Sequence, residues 1–323
     1  MSNLKSFFEK VNLYNCITIT GTAKNTGKTS VLNAILSDRT DKIRAITSIG
    51  YDGESSDQVT ATEKPEIYVK KGTLIATADG LLPYCDFTKE LLAYTGFNTP
   101  MGEAIIVRAL SDGYAQIAGP STRTQMEATV KQLKDFGAEQ IFIDGALSRK
   151  STAAIAFSDA CILATGAAFS HNIEKIVEET VHFAKLLTLP EYPNISNVEL
   201  IVDTLNEDET NKALDNLSEN KVVFFKGAIT SQLIKRILNL NLNFNGLNII
   251  GEDGTRFLIE PQLLADLTRR GVRLFVQNPI NLIGITVNPK APSGLILDSN
   301  EICDLLRKDL DMFVFDMKKG ELE

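Results

Sequence analysis

The ten residues from Gly21 to Ser30, GTAKNTGKTS, are of the types that hold a phosphate chain. The backbone N–H groups of such a Gly/Thr-rich turn can point inward at an anion, and the positive end of a following helix dipole adds to the attraction. Lys28 is placed to reach β- and γ-phosphates, and Thr29 to set its hydroxyl on Mg²⁺. Gly21, Thr22, Lys24, Asn25, Thr26, Gly27 and Ser30 complete the expected nucleotide-binding set. The spacing departs from the common G-x-x-x-x-G-K-[ST] form, since Gly21 to Gly27 is one residue longer and Thr22 stands where the first Gly would be. The same string could make an ordinary strand-to-helix turn, where Gly serves wherever φ is positive. Strand, Gly-Lys-Thr and helix falling in order argue for the phosphate loop.

Phosphoryl chemistry also needs an acid near the metal, at the carboxyl end of a core strand. Ile141-Phe142-Ile143-Asp144-Gly145 has that form, so Asp144 is expected to hold Mg²⁺, although Asp-Gly also ends many strands. Asp52, in Ser48-Ile49-Gly50-Tyr51-Asp52-Gly53-Glu54, could activate water or serve the metal's outer shell, with Glu54 a weaker candidate. A solvated acidic loop is the other reading of that segment. Lys24, Arg108 and Arg149 could offset phosphate charge. Asn288, in Val287-Asn288-Pro289, could read a base, yet Asn-Pro is also a standard turn opener.

These residues need a scaffold, and apolar strand-like runs alternate with helical patterns along most of the chain. That implies an α/β fold with a doubly wound, mainly parallel sheet and helices on both faces. The phosphate loop joins a strand at Cys16–Thr20 to a helix over about Lys28–Ser37. Runs at Glu66–Lys70 and Thr73–Thr77, and again at Glu103–Ala109 and Gly113–Ala118, suggest antiparallel hairpin additions. Helices are expected over Thr122–Phe136 and His171–Leu187, and strands at Gln140–Asp144 and Ala160–Ala164. A Pro/Asn-rich linker, Leu189–Asn194, separates a nucleotide-binding domain, 1–193, from residues 194–323, expected to form a second α/β domain or an extension of the sheet and to offer a partner-binding region.

The net charge of −8 argues against a general nucleic-acid binder, because no basic surplus exists to release counterions. No apolar stretch approaches membrane-helix length, and the N-terminus lacks the apolar core of a secretory signal, so a cytoplasmic protein is expected. The four cysteines are far apart and the two histidines, His171 and His182, lie near or within one predicted helix, which argues against a zinc or disulfide framework.

The segment Gly21-Thr22 through Gly27-Lys28-Thr29 resembles the dethiobiotin synthetase branch of P-loop proteins, which writes its loop with the same lengthened spacing. The wider class includes the MinD/ParA, nitrogenase iron protein and metallochaperone ATPases. That resemblance implies a nucleotide-switched dimer, an acid after the second strand matching Asp52, and an Asp after the third core strand matching Asp144. Lys24 is one position later than the class's cross-dimer lysine. Ala23 replaces the synthetase's loop acid, and its lysine after strand two is missing from Thr47 to Gly53. The strings AKNTGKTSVLN, TSIGYDGE, IDGALSRKS and INLIGITVNP together resemble the P-loop proteins associated with lysine 5,6-aminomutase. That likeness implies a partner ATPase that restores a cobalamin-dependent mutase after inactivation.

The expected function is therefore ATP binding and hydrolysis, with Mg²⁺, driving a switch that acts on a protein partner such as a cobalamin-dependent aminomutase. Lys28, Asp52 and Asp144 carry the catalytic expectation, and Thr29, Asp52 and Asp144 the metal. The alternatives are an ATP-dependent ligase or kinase of a small metabolite, and a nucleotide sensor with negligible turnover. ATP is preferred to GTP only through the resemblance, since no Asn-Lys-x-Asp string follows the core strands.

Overall fold

Cys16–Gly21, Gln140–Asp144 and Ala160–Gly166 are buried along nearly their whole length, as strands covered on both faces must be. In the computed structural model these are β1, β8 and β9 of one large sheet, with β1 (Cys16–Gly21) lying between β8 (Gln140–Asp144) and β9 (Ala160–Gly166). The structure describes residues 3–50, 66–145, 155, 158–215, 217, 221–240 and 243–316. Next to β8 come β2 (Arg44–Ser48), β4 (Leu74–Ala78), β6 (Gly102–Ala109) and β5 (Lys89–Thr99). On the far side of β9 lie β16 (Leu282–Asn288) and β17 (Phe313–Asp316). The order is β17-β16-β9-β1-β8-β2-β4-β6-β5, parallel from β17 to β4 and antiparallel at β6 and β5. The architecture is thus mixed α/β around a mainly parallel sheet.

Alternation along each strand sorts its side chains between two faces. Helix α1 (Asn3–Val11) and helix α2 (Lys28–Ser37) cover one face, where Val31, Leu32 and Ile35 meet Ile17, Ile19, Phe142 and Ile162. Helix α3 (Arg123–Asp135) covers the other, setting Met126, Val130 and Leu133 on Cys16, Ala45, Ile141 and Ile143. Thr122 caps α3 by accepting the Gln125 N–H. Phe7 of α1 is fully buried against Phe313 and Phe315, with ring centroids 6.1 and 4.7 Å away. Burying a Phe side chain contributes about 2 kcal/mol.

The carboxyl end of α2 is closed by Arg44. Its Nη1 donates to the carbonyls of Ile35, at 2.5 Å, and Asp38, at 3.0 Å, while Nε donates to Gln140 at 3.3 Å. Gln140 in turn donates to the carbonyls of Val11 and Tyr14. Two polar side chains at strand starts thereby supply donors to carbonyls at and just beyond the ends of two helices.

The expected hairpins pair otherwise. Ile67–Val69 (β3) and Leu74–Ala78 are not partners of each other. The former pairs antiparallel with Gly113–Ala115 (β7), and the latter joins β2 in parallel and β6 in antiparallel. Helix α4 (Ile173–Leu187) begins two residues inside the expected start.

By packing, the chain falls into two compact units: residues 1–180 with 282–323, and residues 181–281. Residues 282–316, expected in the second half, supply β16, helix α8 (Ser299–Asp309) and β17 to the large sheet, because β16 hydrogen-bonds along β9. The second unit holds a parallel four-stranded sheet, β10 (Leu200–Asp203), β11 (Val222–Lys226), β13 (Asn248–Gly251) and β15 (Arg273–Val276). Helices α5 (Glu207–Asp215), α6 (Ser231–Leu238) and α7 (Pro261–Arg269) enclose its core around Val223, Phe225 and Ile249, beside a short parallel pair, β12 (Ile229–Thr230) with β14 (Phe257–Leu258). In this unit His182 shares a hydrogen bond with the Ile259 carbonyl, which accounts for its ring.

Candidate functional site

β1 ends at Gly21, the chain turns through Thr22–Thr26, and α2 begins just after Gly27. Gly27 is left-handed, φ 97° and ψ 14°, and places no side-chain cap on the first turn of α2. Asn25 also has positive φ, 61°, the sole non-glycine to do so among the described residues. Gly21 is required by crowding, since a Cβ there would fall on Thr26 Oγ1 and lie 3.3 Å from the Ala164 carbonyl oxygen.

Neighbouring strands hold the turn. Thr22 donates its N–H to the Ala164 carbonyl at 2.9 Å and its hydroxyl to Thr165 at 3.2 Å. Thr165 is in turn hydrogen-bonded to Thr180, hydroxyl to hydroxyl, at 2.8 Å. Thr26 is buried and its hydroxyl donates to the Ala23 carbonyl at 3.0 Å, closing the turn on itself. Asn288, at the end of β16, donates from Nδ2 to the Asn25 carbonyl at 3.2 Å. Lys24, Asn25 and Ser30 are exposed, and Lys28 and Thr29 are half-buried at the helix start. Thr26, Gly27, Ser30, Thr286, Asn288 and Asp316 line a shallow depression beside that start.

Asp144 is the last residue of β8, opposite Ile19 on β1 and Ser48 on β2. Ile19 packs with α2, so the Asp144 side chain belongs to the sheet face that α2 covers. The main chain is pinned on both sides, with Ile49 N–H donating to the Asp144 carbonyl and Gly145 N–H to the Ile19 carbonyl. Lys28, Thr29 and Asp144 therefore share one sheet edge and one face. An uncapped helix start, a cation, a hydroxyl and a carboxylate form a donor set that suits an oxyanion together with a hard divalent ion.

The other expected residues divide differently. Asp52, Glu54 and Arg149 lie outside the described residues. Arg108 stands opposite Leu74, at the amino end of β4, and pairs with Glu90 at 3.0 Å, both side chains part-exposed. It belongs to the opposite sheet edge from the loop, because β6 runs antiparallel. All four cysteines are buried. Burial pushes the Cys16 thiol up to about 11 and the Cys161 thiol up to about 12, so neither serves as a nucleophile. Sequence reasoning missed Thr165, whose hydroxyl meets Thr22 because β9 lies beside β1, and Thr180, which supports Thr165 from helix α4. Comparison with protein-family models and with curated proteins finds no match for this chain.

Proposed function

We propose that this chain is a nucleoside triphosphatase that binds ATP with Mg²⁺ at Gly21–Ser30, and that its nucleotide cycle acts on a protein partner. The observation that carries the proposal is the register of Asp144 opposite Ile19, which sets a carboxylate beside the glycine-bounded turn on the face of α2. The sheet order supports a doubly wound P-loop fold. From β1 the chain moves outward to β2 and β4, then returns through β8 to build β9, β16 and β17 on the other side.

In this reading the amides around Gly27 and the first turn of α2 bind the phosphate oxygens. Lys28 neutralises charge at the far phosphates, and Thr29 with Asp144 holds the cation. Bound Mg²⁺ would supply charge neutralisation for transfer of the terminal phosphoryl group to water with ADP as the leaving group. The left-handed Gly27 lets the chain turn from the loop into α2, and its missing β-carbon leaves room for the Asn288 side chain. The partner is proposed from the resemblance to proteins associated with lysine 5,6-aminomutase, and is a cobalamin-dependent aminomutase or its accessory protein.

The test is ATP turnover by wild type and Lys28→Ala, alone and with such a mutase inactivated by turnover. Wild type is expected to hydrolyse ATP slowly alone and faster with the mutase, with the variant silent in both. Equal rates for the two proteins under every condition would sink the proposal.

A further inference from the structure

We infer that Asn288 is the positioning residue that holds the phosphate-binding turn in its binding shape, and that it does not read the base; this rests on the function proposed above. The turn contains one backbone conformation that an L-residue adopts at a cost, the positive φ of Asn25. Asn tolerates that region better than other L-residues, and a contact that fixes it there holds the turn in one shape. That contact is the side chain of Asn288, whose Nδ2 donates to the Asn25 carbonyl at 3.2 Å. Two residues on, the same side chain packs on the turn, with its Cβ 3.1 Å from where a β-carbon of Gly27 would stand. One side chain thus hydrogen-bonds to the turn at Asn25 and fills the space a Gly27 β-carbon would need.

Asn288 is itself fixed. Its Oδ1 accepts the Lys290 N–H at 3.2 Å, which orients the amide so that Nδ2 faces the turn. Its carbonyl accepts the Ala167 N–H at 2.9 Å. Its register partner on β9 is Gly166, so close that a β-carbon there would fall on the Asn288 carbonyl. A side chain that recognises a base by hydrogen bonding presents both ends of its amide to the ligand. Here one donor and one acceptor are already engaged on the protein. The main chain leading to it is buried along Leu282–Val287, so the brace stands on a rigid strand.

The distinguishing experiment measures binding of Mg²⁺-tripolyphosphate, which has no base, beside Mg²⁺ complexes of ATP, GTP and CTP. Isothermal titration calorimetry would compare wild type, Asn288→Ala, Asn288→Asp and Lys28→Ala. A lost hydrogen bond of this kind corresponds to about a tenfold change in affinity. Asn288→Ala is therefore expected to weaken tripolyphosphate and all three nucleotides by a common factor of about ten, raising KM while leaving kcat. Asn288→Asp, which sets a carboxylate against the Asn25 carbonyl, is expected to lose more. Thermal midpoints should stay close to wild type, and Asn288→Ser replaces Asn288→Ala in the same comparison should the latter not fold. An unchanged tripolyphosphate affinity overturns the inference, whether or not the preference among bases shifts. A wild-type protein that binds neither nucleotide nor tripolyphosphate removes the proposed function, and the brace with it.

Discussion

Asp144 and Ile19 face each other across the parallel pairing of β8 with β1, two residues before β1 ends at Gly21. Residues opposite one another in such a ladder share a sheet face, so the carboxylate lies on the same side as α2. Asp144→Asn keeps the size and removes the charge. It is expected to leave nucleotide binding within a few-fold and to lower Mg²⁺-dependent turnover by about a hundredfold, the usual scale for one preorganised electrostatic group. Full turnover in Asp144→Asn would remove this carboxylate from the reaction.

Gly21 and Lys28 separate shape from charge. Gly21→Ala forces a methyl onto Thr26 Oγ1 and near the Ala164 carbonyl, so it should cost about 1–3 kcal/mol of stability and weaken nucleotide binding together. Lys28→Ala removes a half-buried cation and should weaken binding with little change in the thermal midpoint. Parallel melting curves and binding titrations check both. A Gly21→Ala protein as stable as wild type contradicts the crowding.

Arg44→Met tests the closure of α2. The Met stem can fill much of the space, but the Asp38 carbonyl loses its side-chain donor and the Ile35 carbonyl keeps only the Asp38 N–H. Unsatisfied buried acceptors of this sort cost about 2 kcal/mol. Burial lowers the pKa of the guanidinium, so it is held charged by the carbonyls and by Asp38 rather than by water. Denaturant unfolding that shows no loss in Arg44→Met would mean water already serves those carbonyls.

The buried thiols give the alkaline limit. Cys161 rises from 9.0 unfolded to about 12 folded, and Cys16 to about 11, both chiefly through burial. The folded state then holds protons that the unfolded state releases, so stability is fully present below about pH 9 and falls as pH rises toward 11–12. Cys161→Ala should flatten that fall in chemical unfolding measured from pH 8 to 11. A disulfide reagent at pH 8 is expected to reach Cys16 and Cys161 only after denaturation, and rapid labelling of native protein would count against their burial.

The turn from Gly21 to Gly27 was legible because its signals are local. A strand, a glycine-bounded turn and a helix follow in order, and the expected helix at Lys28–Ser37 has those bounds in the structure. Asp144 was legible for the same reason, as an acid ending an apolar run. Pairing was not, because it joins residues distant in sequence. The runs at 67–69 and 113–115 pair across the whole of residues 70–112 rather than with the nearer strand. β5 escaped notice since, as a sheet edge, it mixes exposed Leu91 and Tyr94 with polar residues and has no clean period. β13 escaped because Ile249 and Ile250 alone are too short a run to show one. Asn288 reads as a turn opener in sequence; its contact with Asn25 spans 263 residues and follows only from β16 lying beside β9.

Phe7, in the first helix, rests on Phe313, Phe315 and Gly284, which come near the end of the sequence. A ribosome making this chain must therefore extend it through residues 181–281 before the opening helix meets its partners. Until then the outer side of β9 stays an unpaired template, the kind of edge that recruits other nascent chains. Synthesis halted short of residue 282 is expected to yield aggregate, while the completed chain folds late and slowly, its two ends closing on each other last.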